Sequence, residues 1–193
     1  ELLATIEESF QEHVVRGTPV DCITLAGNGE PTLHPDLEEL VIGLKRLRDR
    51  YFPAAKVGIL SDATQAHRPS VTRALRRLDV RYMKLDGGDE ATWRTITGPF
   101  GAADWQTMIA ALKNLPDVIL QSMFIQGRYD NTQEDHVDRW LELVAALRPV
   151  SVQVYTIDRA PADPGITKVP RERLQAIASR LTARTGIPAE VYE

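Results

Sequence analysis

Short apolar segments alternate with longer amphipathic ones along almost the whole chain, and this alternation restricts the fold more than any other feature. The apolar segments predict strands at residues 22–26, 57–60, 82–85, 118–125 and 150–157. The amphipathic segments predict helices between them at 36–50, 69–78, 104–115 and 132–147. Strands joined by a helix run parallel, and near-continuous apolar strands are typical of a buried parallel sheet. The sequence therefore predicts an α/β fold.

A partial barrel of β/α units and an open doubly wound sheet both fit this alternation. With 193 residues and no evident repeat, the chain is predicted to form a single domain over residues 1–193. Its first predicted element is a helix, because Leu3, Ile6, Phe10 and Val14 recur at helical spacing. Since each unit of a β/α barrel begins with a strand, we expect the first strand and the loop after it to be missing from this sequence.

The composition is that of an ordinary globular protein, with 43% hydrophobic and 26% charged residues, and it argues against disorder. No apolar run approaches the roughly 20 residues that cross a bilayer, and no signal peptide opens the chain, so no membrane association is expected. The net charge of −4 does not indicate nucleic-acid binding. Cys22 is the only cysteine, which excludes an internal disulfide and predicts a cytoplasmic location.

The first predicted strand ends in the sequence Gly-Asn-Gly-Glu-Pro at residues 27–31. Ligands of parallel α/β folds bind at the carboxyl ends of the strands, and glycines there permit tight turns and close approach of a ligand to the backbone. Backbone N–H groups and the Glu30 carboxylate would together suit a zwitterion, with Glu30 binding its ammonium group. A plain glycine turn explains the same residues equally well, and both interpretations stay open at this point.

Polar residues also follow the next two predicted strands. Ser61 and Asp62 come directly after the second strand. Lys84 and Asp86 lie at the end of the third strand and share one side of it, so both can face the barrel interior. A buried lysine needs a partner, and a structural ion pair with Asp86 is the alternative to a role in ligand binding.

Two glutamines, Gln121 and Gln153, lie inside otherwise apolar strands. Buried polar groups are costly unless they are hydrogen-bonded, so the pair suggests a polar interior or a bound ligand, although a satisfied core amide explains each one alone. The four histidines have no metal-ligand spacing, and the sequence has neither a nucleophile elbow nor a P-loop. The sequence therefore predicts no metal site and no hydrolytic centre, and it assigns no catalytic residue.

Four stretches carry a resemblance to one enzyme superfamily. Residues 23–35, which read ITLAGNGEPTLHP, resemble the second-strand motif of the radical S-adenosylmethionine (SAM) enzymes. Residues 85–93, which read LDGGDEATW, are similar to a stretch of one branch, the Fe–S oxidoreductases related to wybutosine-type tRNA-modifying enzymes. Residues 124–131 and 152–161 resemble the fifth-strand and sixth-strand segments of that branch. The four stretches occur in the family's order and span nearly the whole chain.

The resemblance implies a partial (β/α)6-type barrel that lacks its first strand. In the superfamily, the loop after that strand carries CxxxCxxC, whose thiolates hold a [4Fe–4S] cluster, and these cysteines are absent from this chain. The implied activity is reductive cleavage of SAM at the cluster, which yields a 5′-deoxyadenosyl radical. The implied cofactors are therefore SAM and a [4Fe–4S] cluster, and the implied partner is an electron donor such as flavodoxin or ferredoxin.

Ten cofactor-binding residues follow from the resemblance. They are Gly27, Asn28, Gly29, Glu30, Ser61, Asp62, Asp86, Gln126, Gly127 and Tyr155. The first four form the loop expected at the methionine amino group of SAM, the next three are expected near its ribose or carboxylate, and the last three near its adenine. The family often has Asn-Gly after its third strand, where this chain has Asp62 and Ala63.

The sequence leaves two functions open. In the first, the chain is the core of a radical SAM enzyme and is inactive without its cluster-binding segment. In the second, it is a cluster-less protein that binds SAM or a nucleoside on the same barrel.

Overall fold

A computed structural model describes residues 1–27, 29–98 and 103–192 of the chain. Six strands form one parallel sheet in the order β1-β2-β3-β4-β6-β8. These strands are β1 (Cys22–Leu25), β2 (Lys56–Ser61), β3 (Val80–Lys84), β4 (Val118–Met123), β6 (Ser151–Tyr155) and β8 (Ala189–Tyr192). A second, antiparallel sheet contains only β5 (Gln126–Gly127) and β7 (Ile166–Thr167). The predicted parallel α/β architecture is confirmed.

Seven α-helices are described, and α2, α3, α5, α6 and α7 connect successive strands of the large sheet. The helices are α1 (Leu2–Val15), α2 (Leu37–Tyr51), α3 (Pro69–Arg77), α4 (Glu90–Thr97), α5 (Trp105–Asn114), α6 (Glu134–Leu147) and α7 (Arg171–Thr185), with a short 3-10 helix at Pro31–Leu33. None of the helices in the described part of the chain is both long enough and apolar enough to cross a membrane.

One face of the sheet packs against the helices and forms the core. Ile59, Leu120 and Val154 point to this face and are fully buried, and they share the core with Leu44 of α2 and Leu141 of α6. Along β4 and β6, buried residues alternate with half-buried ones, because successive side chains point to opposite faces. A doubly wound sheet would be covered on both faces. The partly exposed second face therefore identifies the partial barrel.

The barrel is open. Within residues 1–27, 29–98 and 103–192, β1 pairs only with β2 and β8 pairs only with β6. Helix α1 packs against α2, where the ring of Phe10 lies 5.2 Å from that of Phe52. These contacts place α1 beside α2 in the helical layer, and the helix predicted from the spacing of its apolar residues is confirmed.

Several local features differ from the sequence prediction. Helix α4 was not predicted, since it is short and rich in threonine, but its N-cap Asp89 accepts a hydrogen bond from Thr92 N at 2.8 Å. Strand β4 ends at Met123 rather than at residue 125. Helix α6 begins at Glu134 rather than at residue 132, and the Thr132 hydroxyl, which lies before the helix, donates to Asp130.

Arg148 gives a stability prediction at the end of α6. This exposed residue adopts a left-handed backbone with φ of 53°, which costs an L-residue about 1–2 kcal/mol and a glycine almost nothing. We expect Arg148→Gly to stabilise the protein by about 0.5–1 kcal/mol, because glycine loses part of the gain to its greater unfolded-state entropy. Thermal unfolding should show a rise of roughly 2–4 °C. Arg148→Ala keeps the strain and serves as the control, and a lower melting temperature for the glycine variant would contradict the prediction.

Candidate functional site

Glu30 joins the ends of two strands at the carboxyl edge of the sheet. Its Oε1 accepts hydrogen bonds from Thr32 N at 2.9 Å, from Thr32 Oγ1 at 2.5 Å and from Ser61 Oγ at 2.8 Å. Its Oε2 accepts one from Asp62 N at 2.7 Å. The carboxylate is thus held in one position by donors from its own loop and from the end of β2, more than thirty residues away in the chain.

The end of β2 is itself a tight turn. Asp62 Oδ1 accepts from Thr64 N at 2.9 Å and from Thr64 Oγ1 at 2.7 Å. Ala63 is fully buried and adopts φ of 65°, a backbone that favours glycine. Burial raises the pKa of Asp62 above its usual range, and the adjacent Glu30 carboxylate adds to the rise, against the hydrogen bonds from Thr64. The turn thus brings two carboxyl groups together although this chain lacks the family's Asn-Gly sequence.

A cavity of about 440 Å³ opens beside this carboxylate pair, and we call it the first cavity. It is lined by Ala26, Gly27, Gly29, Glu30, Pro31, Leu60, Ser61, Asp62, Lys84 and Gln121. Apart from the glycine itself and its chain neighbours, no described atom lies within 4 Å of a Cβ built on Gly27 or Gly29, and neither glycine has a left-handed φ. Neither glycine is therefore required by the turn or by crowding from the protein itself. Glycine at these two positions leaves space beside Glu30 that the described protein does not fill.

Asp86 forms an ion pair with Lys84, which lines the first cavity. The two groups are 2.9 Å apart, and the Asp86 side chain is fully buried whereas that of Lys84 is 30% exposed. Asp86 also accepts hydrogen bonds from Met123 N at 2.9 Å and from Thr97 Oγ1 at 3.2 Å. Burial raises the pKa of Asp86, and the Lys84 ammonium opposes that rise. The sequence singled out Asp86 as a ligand contact, but the side chain that lines the cavity is that of Lys84.

A second cavity, of about 330 Å³, adjoins the first on the open face of the sheet. It is lined by Gln121, Gln153, Tyr155, Thr156, Asp158 and Tyr192, and Gln121 belongs to both cavities. Gln121 Nε2 donates to Gln153 Oε1 at 2.7 Å, across paired positions of β4 and β6. Burial, and then the Asp86 charge, raise the pKa of Tyr155 well above its usual range, so its hydroxyl stays protonated.

The structure does not bring all ten sequence-predicted residues together. Gly27, Gly29, Glu30, Ser61 and Asp62 line the first cavity, and Tyr155 lines the second. Asn28 lies outside the described residues.

Gln126 and Gly127 line neither cavity, because they form β5 and pair with β7. Gly127 has φ of 104°, and a Cβ there would lie 2.1 Å from Gly165 O. The backbone and the close contact therefore both require glycine at this position. Lys84 lines the first cavity although it was not among the ten predicted residues, and its shared parity with Asp86, which the sequence analysis noted, was the available signal.

No family model matches the chain, but several curated proteins are similar to it. It is 29% identical over 140 residues to a UPF0026 protein of Synechocystis sp., covering 70% of this chain and 49% of the relative. A UPF0026 protein of Helicobacter pylori is 25% identical over 82% of this chain and 50% of its own length. A GTPase Obg of Brachyspira hyodysenteriae is 23% identical over 94% of this chain and 26% of its own length. The chain spans about half the length of these relatives or less.

Solved structures decide the fold. A radical SAM methyltransferase from Sphaerobacter thermophilus matches 100% of this chain and 56% of its own, with a TM-score of 0.74 at 17% identity. This chain has the fold of the radical SAM enzymes. TYW1 with a lysine-pyruvate adduct bound matches 95% of this chain and 61% of its own (TM-score 0.68, 16% identity). Streptococcus suis SuiB bound to S-adenosylmethionine matches 89% of this chain and 39% of its own (TM-score 0.67, 14% identity).

The radical SAM fold implies both SAM and an iron–sulfur cluster. The residues present fit the amino-acid part of SAM, but they do not fit the cluster. The first cavity offers the carboxylates of Glu30 and Asp62, the ammonium of Lys84 and two uncrowded glycines, which suit an amino-acid ligand. The cluster needs several thiolates, whereas the sequence contains one cysteine, Cys22. The described residues also contain no group of three or more His, Cys, Asp or Glu side chains that could hold a metal ion. This chain alone therefore does not fit a [4Fe–4S] cluster.

Proposed function

We propose that this chain is the SAM-binding part of a radical SAM enzyme. We further propose that cysteines on a segment outside this sequence hold the [4Fe–4S] cluster at which the whole protein cleaves SAM reductively. The observation that carries the proposal is the glycine loop. Gly27 and Gly29 leave space that the described protein does not fill, directly beside a carboxylate fixed by four hydrogen bonds. The radical SAM fold supports the same assignment.

The first cavity matches the charged end of SAM. Glu30 Oε2 accepts one hydrogen bond, from Asp62 N, and a carboxylate oxygen has two lone pairs. It can therefore accept a second bond from the methionine ammonium. Lys84 has three donors, so it can bind the methionine carboxylate while it keeps its ion pair with Asp86. The acidic lining also favours the positive sulfonium of SAM.

A glycine substitution tests the loop directly. Gly27→Ala should weaken SAM binding by about tenfold or more, because a methyl group would occupy ligand space and overpacking costs roughly 1–3 kcal/mol. The melting temperature should stay the same or rise slightly, since no described atom beyond the chain neighbours crowds that position and alanine has less unfolded-state entropy than glycine. Calorimetric titration of the whole protein with SAM measures the first effect, and thermal unfolding measures the second.

Gly88→Ala is the matched comparison for crowding. A Cβ at Gly88 would lie 2.1 Å from Trp140 N, so this variant should lose stability. Wild-type SAM affinity in Gly27→Ala would show that the loop is not the binding loop.

A cluster-less protein that binds SAM or a nucleoside is the second candidate, and the single cysteine favours it. SAM titrations of the whole protein, first free of iron and then after anaerobic reconstitution with iron and sulfide, distinguish the two functions. A radical SAM enzyme should bind SAM more tightly after reconstitution and gain a broad absorbance near 400 nm, roughly where thiolate-ligated clusters absorb. The cluster-less protein should bind SAM equally well in both preparations. An upstream reading frame without CxxxCxxC would also contradict the first proposal.

A further inference from the structure

Two carboxyl groups share one side of the first cavity. Glu30 reaches it from the glycine loop and Asp62 from the end of β2, and the Asp62 backbone N–H donates to Glu30 Oε2 at 2.7 Å. Two like charges this close repel each other when both are ionised, so such a pair retains one proton to a higher pH than a lone carboxyl group does. The pair is a feature of this chain, since the radical SAM family often has asparagine at the position of Asp62.

Hydrogen bonding distinguishes the two carboxyl groups. Glu30 accepts four hydrogen bonds, which suits an ionised carboxylate because that group only accepts. Asp62 Oδ1 accepts from Thr64 N and Thr64 Oγ1, but Asp62 Oδ2 accepts from no described donor. Burial, and then the charge of Glu30, raise the pKa of Asp62. Asp62 is therefore the member of the pair that holds the proton.

The other charged groups around Asp62 do not cancel the repulsion. Lys84, on β3, is the cation among the described lining residues, and its ammonium lies 2.9 Å from the carboxylate of Asp86. On the turn after β2, the exposed ring of His67 lies with Nδ1 3.1 Å from Thr64 O. The described lining therefore has more carboxyl groups than cations, and a ligand with positive charge can redress the difference.

We infer that SAM displaces a proton from the Glu30–Asp62 pair when it binds, so that Asp62 becomes a second carboxylate for the cationic groups of SAM. The inference rests on the proposed function, in which the first cavity binds the charged end of SAM. That end has an ammonium and a sulfonium against a single carboxylate, so it favours the ionised form of both carboxyl groups. The displaced proton passes to the solvent.

The exchange makes the affinity for SAM depend on pH in one direction. Below the pKa of Asp62 in the free protein, each SAM must displace a proton, so affinity should rise with pH by up to about tenfold per pH unit. Above that pKa no proton is left to displace, and the rise should stop. The measurements stay at or below a pH of about 7, since an α-amino group loses its own proton near 7.7–8.0.

Calorimetric titration with SAM in two buffers of different ionisation enthalpy counts the protons that the whole protein releases on binding. The wild type should release up to about one proton more than Asp62→Asn, with the largest difference at the acidic end of the range. Asparagine keeps the Oδ1 acceptor for Thr64 and so preserves the turn. Protons that SAM or other groups lose are common to both proteins and cancel. Asp21→Asn, an exposed carboxyl group before β1, is the control and should match the wild type.

Thr64→Val separates proton exchange from a purely structural role of the turn. The variant removes one of the two donors to Asp62, and Thr64 is buried and lines neither cavity. Because that hydrogen bond lowers the pKa of Asp62, its loss should extend the proton release to higher pH. A disturbed turn without proton exchange would instead lower the affinity for SAM equally at every pH, and this result would count against the inference.

The ligand-free protein provides a test that does not need SAM. The carboxyl carbon of Asp62, followed by NMR and assigned with Asp62→Asn, should titrate above the ordinary aspartate value of about 3.9. An ordinary pKa, or equal proton release by the wild type and Asp62→Asn, overturns the inference and leaves the proposed function intact. A raised pKa in a protein that does not bind SAM at any pH overturns the proposed function, and the exchange with it.

Discussion

Replacing Lys84 with methionine is expected to destabilise the protein by about 3 kcal/mol at pH 7, because it leaves the fully buried Asp86 carboxylate without its cation. Met123 N and Thr97 Oγ1 remain as hydrogen-bond donors, but neither carries a charge. Methionine keeps most of the length of the lysine side chain, so the lost stability reflects the missing charge rather than poorer packing. Urea-induced unfolding of the variant and the wild type gives the difference.

The stability difference between Lys84→Met and the wild type should also depend on pH, and its direction follows from the pKa of Asp86. Burial raises the pKa of Asp86 in the folded protein above its value in the unfolded chain. The stability that comes from protonated Asp86 is therefore complete below the unfolded-state pKa, and it is lost as pH rises through the folded-state pKa. Since Lys84 opposes that rise, Lys84→Met should raise the pKa further and lose more stability at neutral pH than at acidic pH. The gap between variant and wild type should therefore narrow as pH falls.

A double variant serves as the control for the ion pair. Lys84→Met combined with Asp86→Asn removes both charges and should recover most of the lost stability, because neither charge is left without its partner. A loss in Lys84→Met that is equal at pH 5 and pH 8 would contradict the explanation. A double variant that is as unstable as the single one would do the same.

Glu30→Gln is expected to weaken SAM binding by roughly 10- to 100-fold, since a hydrogen bond to a charged group contributes about 1.5–3 kcal/mol. The amide has no charge to offer the methionine ammonium. It also turns an N–H group toward the donors of Ser61 or Asp62, so stability should fall by about 1–3 kcal/mol. Calorimetric titration well below the melting temperature separates lost affinity from lost folding.

Thr32→Val is the matched control for Glu30, since Thr32 lines neither cavity. It removes one donor to Glu30 Oε1, the Thr32 hydroxyl, but leaves the carboxylate charged. Its stability should fall as in Glu30→Gln, whereas its SAM affinity should stay within about threefold of the wild type. Equal affinity in Glu30→Gln and the wild type would show that Glu30 positions the loop without binding the ligand.

Much of the candidate site was predictable because its parts are local in sequence. The glycine loop follows a strand directly, and residues 27–31 could be assigned to the carboxyl edge of the sheet from periodicity alone. Ser61 and Asp62 follow the next strand in the same way, and parallel strands bring such ends together. Gln126 and Gly127 looked equivalent to these positions, but β5 pairs with β7, forty residues further along the chain, and this turns them away from the cavities.

By itself, the sequence determined the parallel α/β fold and the position of the glycine loop, because both depend on residues close together in the chain. The apolar strands indicated burial on both faces, and only the structure showed that one face stays partly exposed. The tertiary structure decided how those parts meet. It placed Glu30 against the end of β2, matched Lys84 with Asp86, and aligned Gln121 with Gln153. Such contacts depend on strand order and register, which are fixed by packing of the whole core rather than by local pattern. For the same reason, only the structure could separate the open glycines at 27 and 29 from the crowded Gly88.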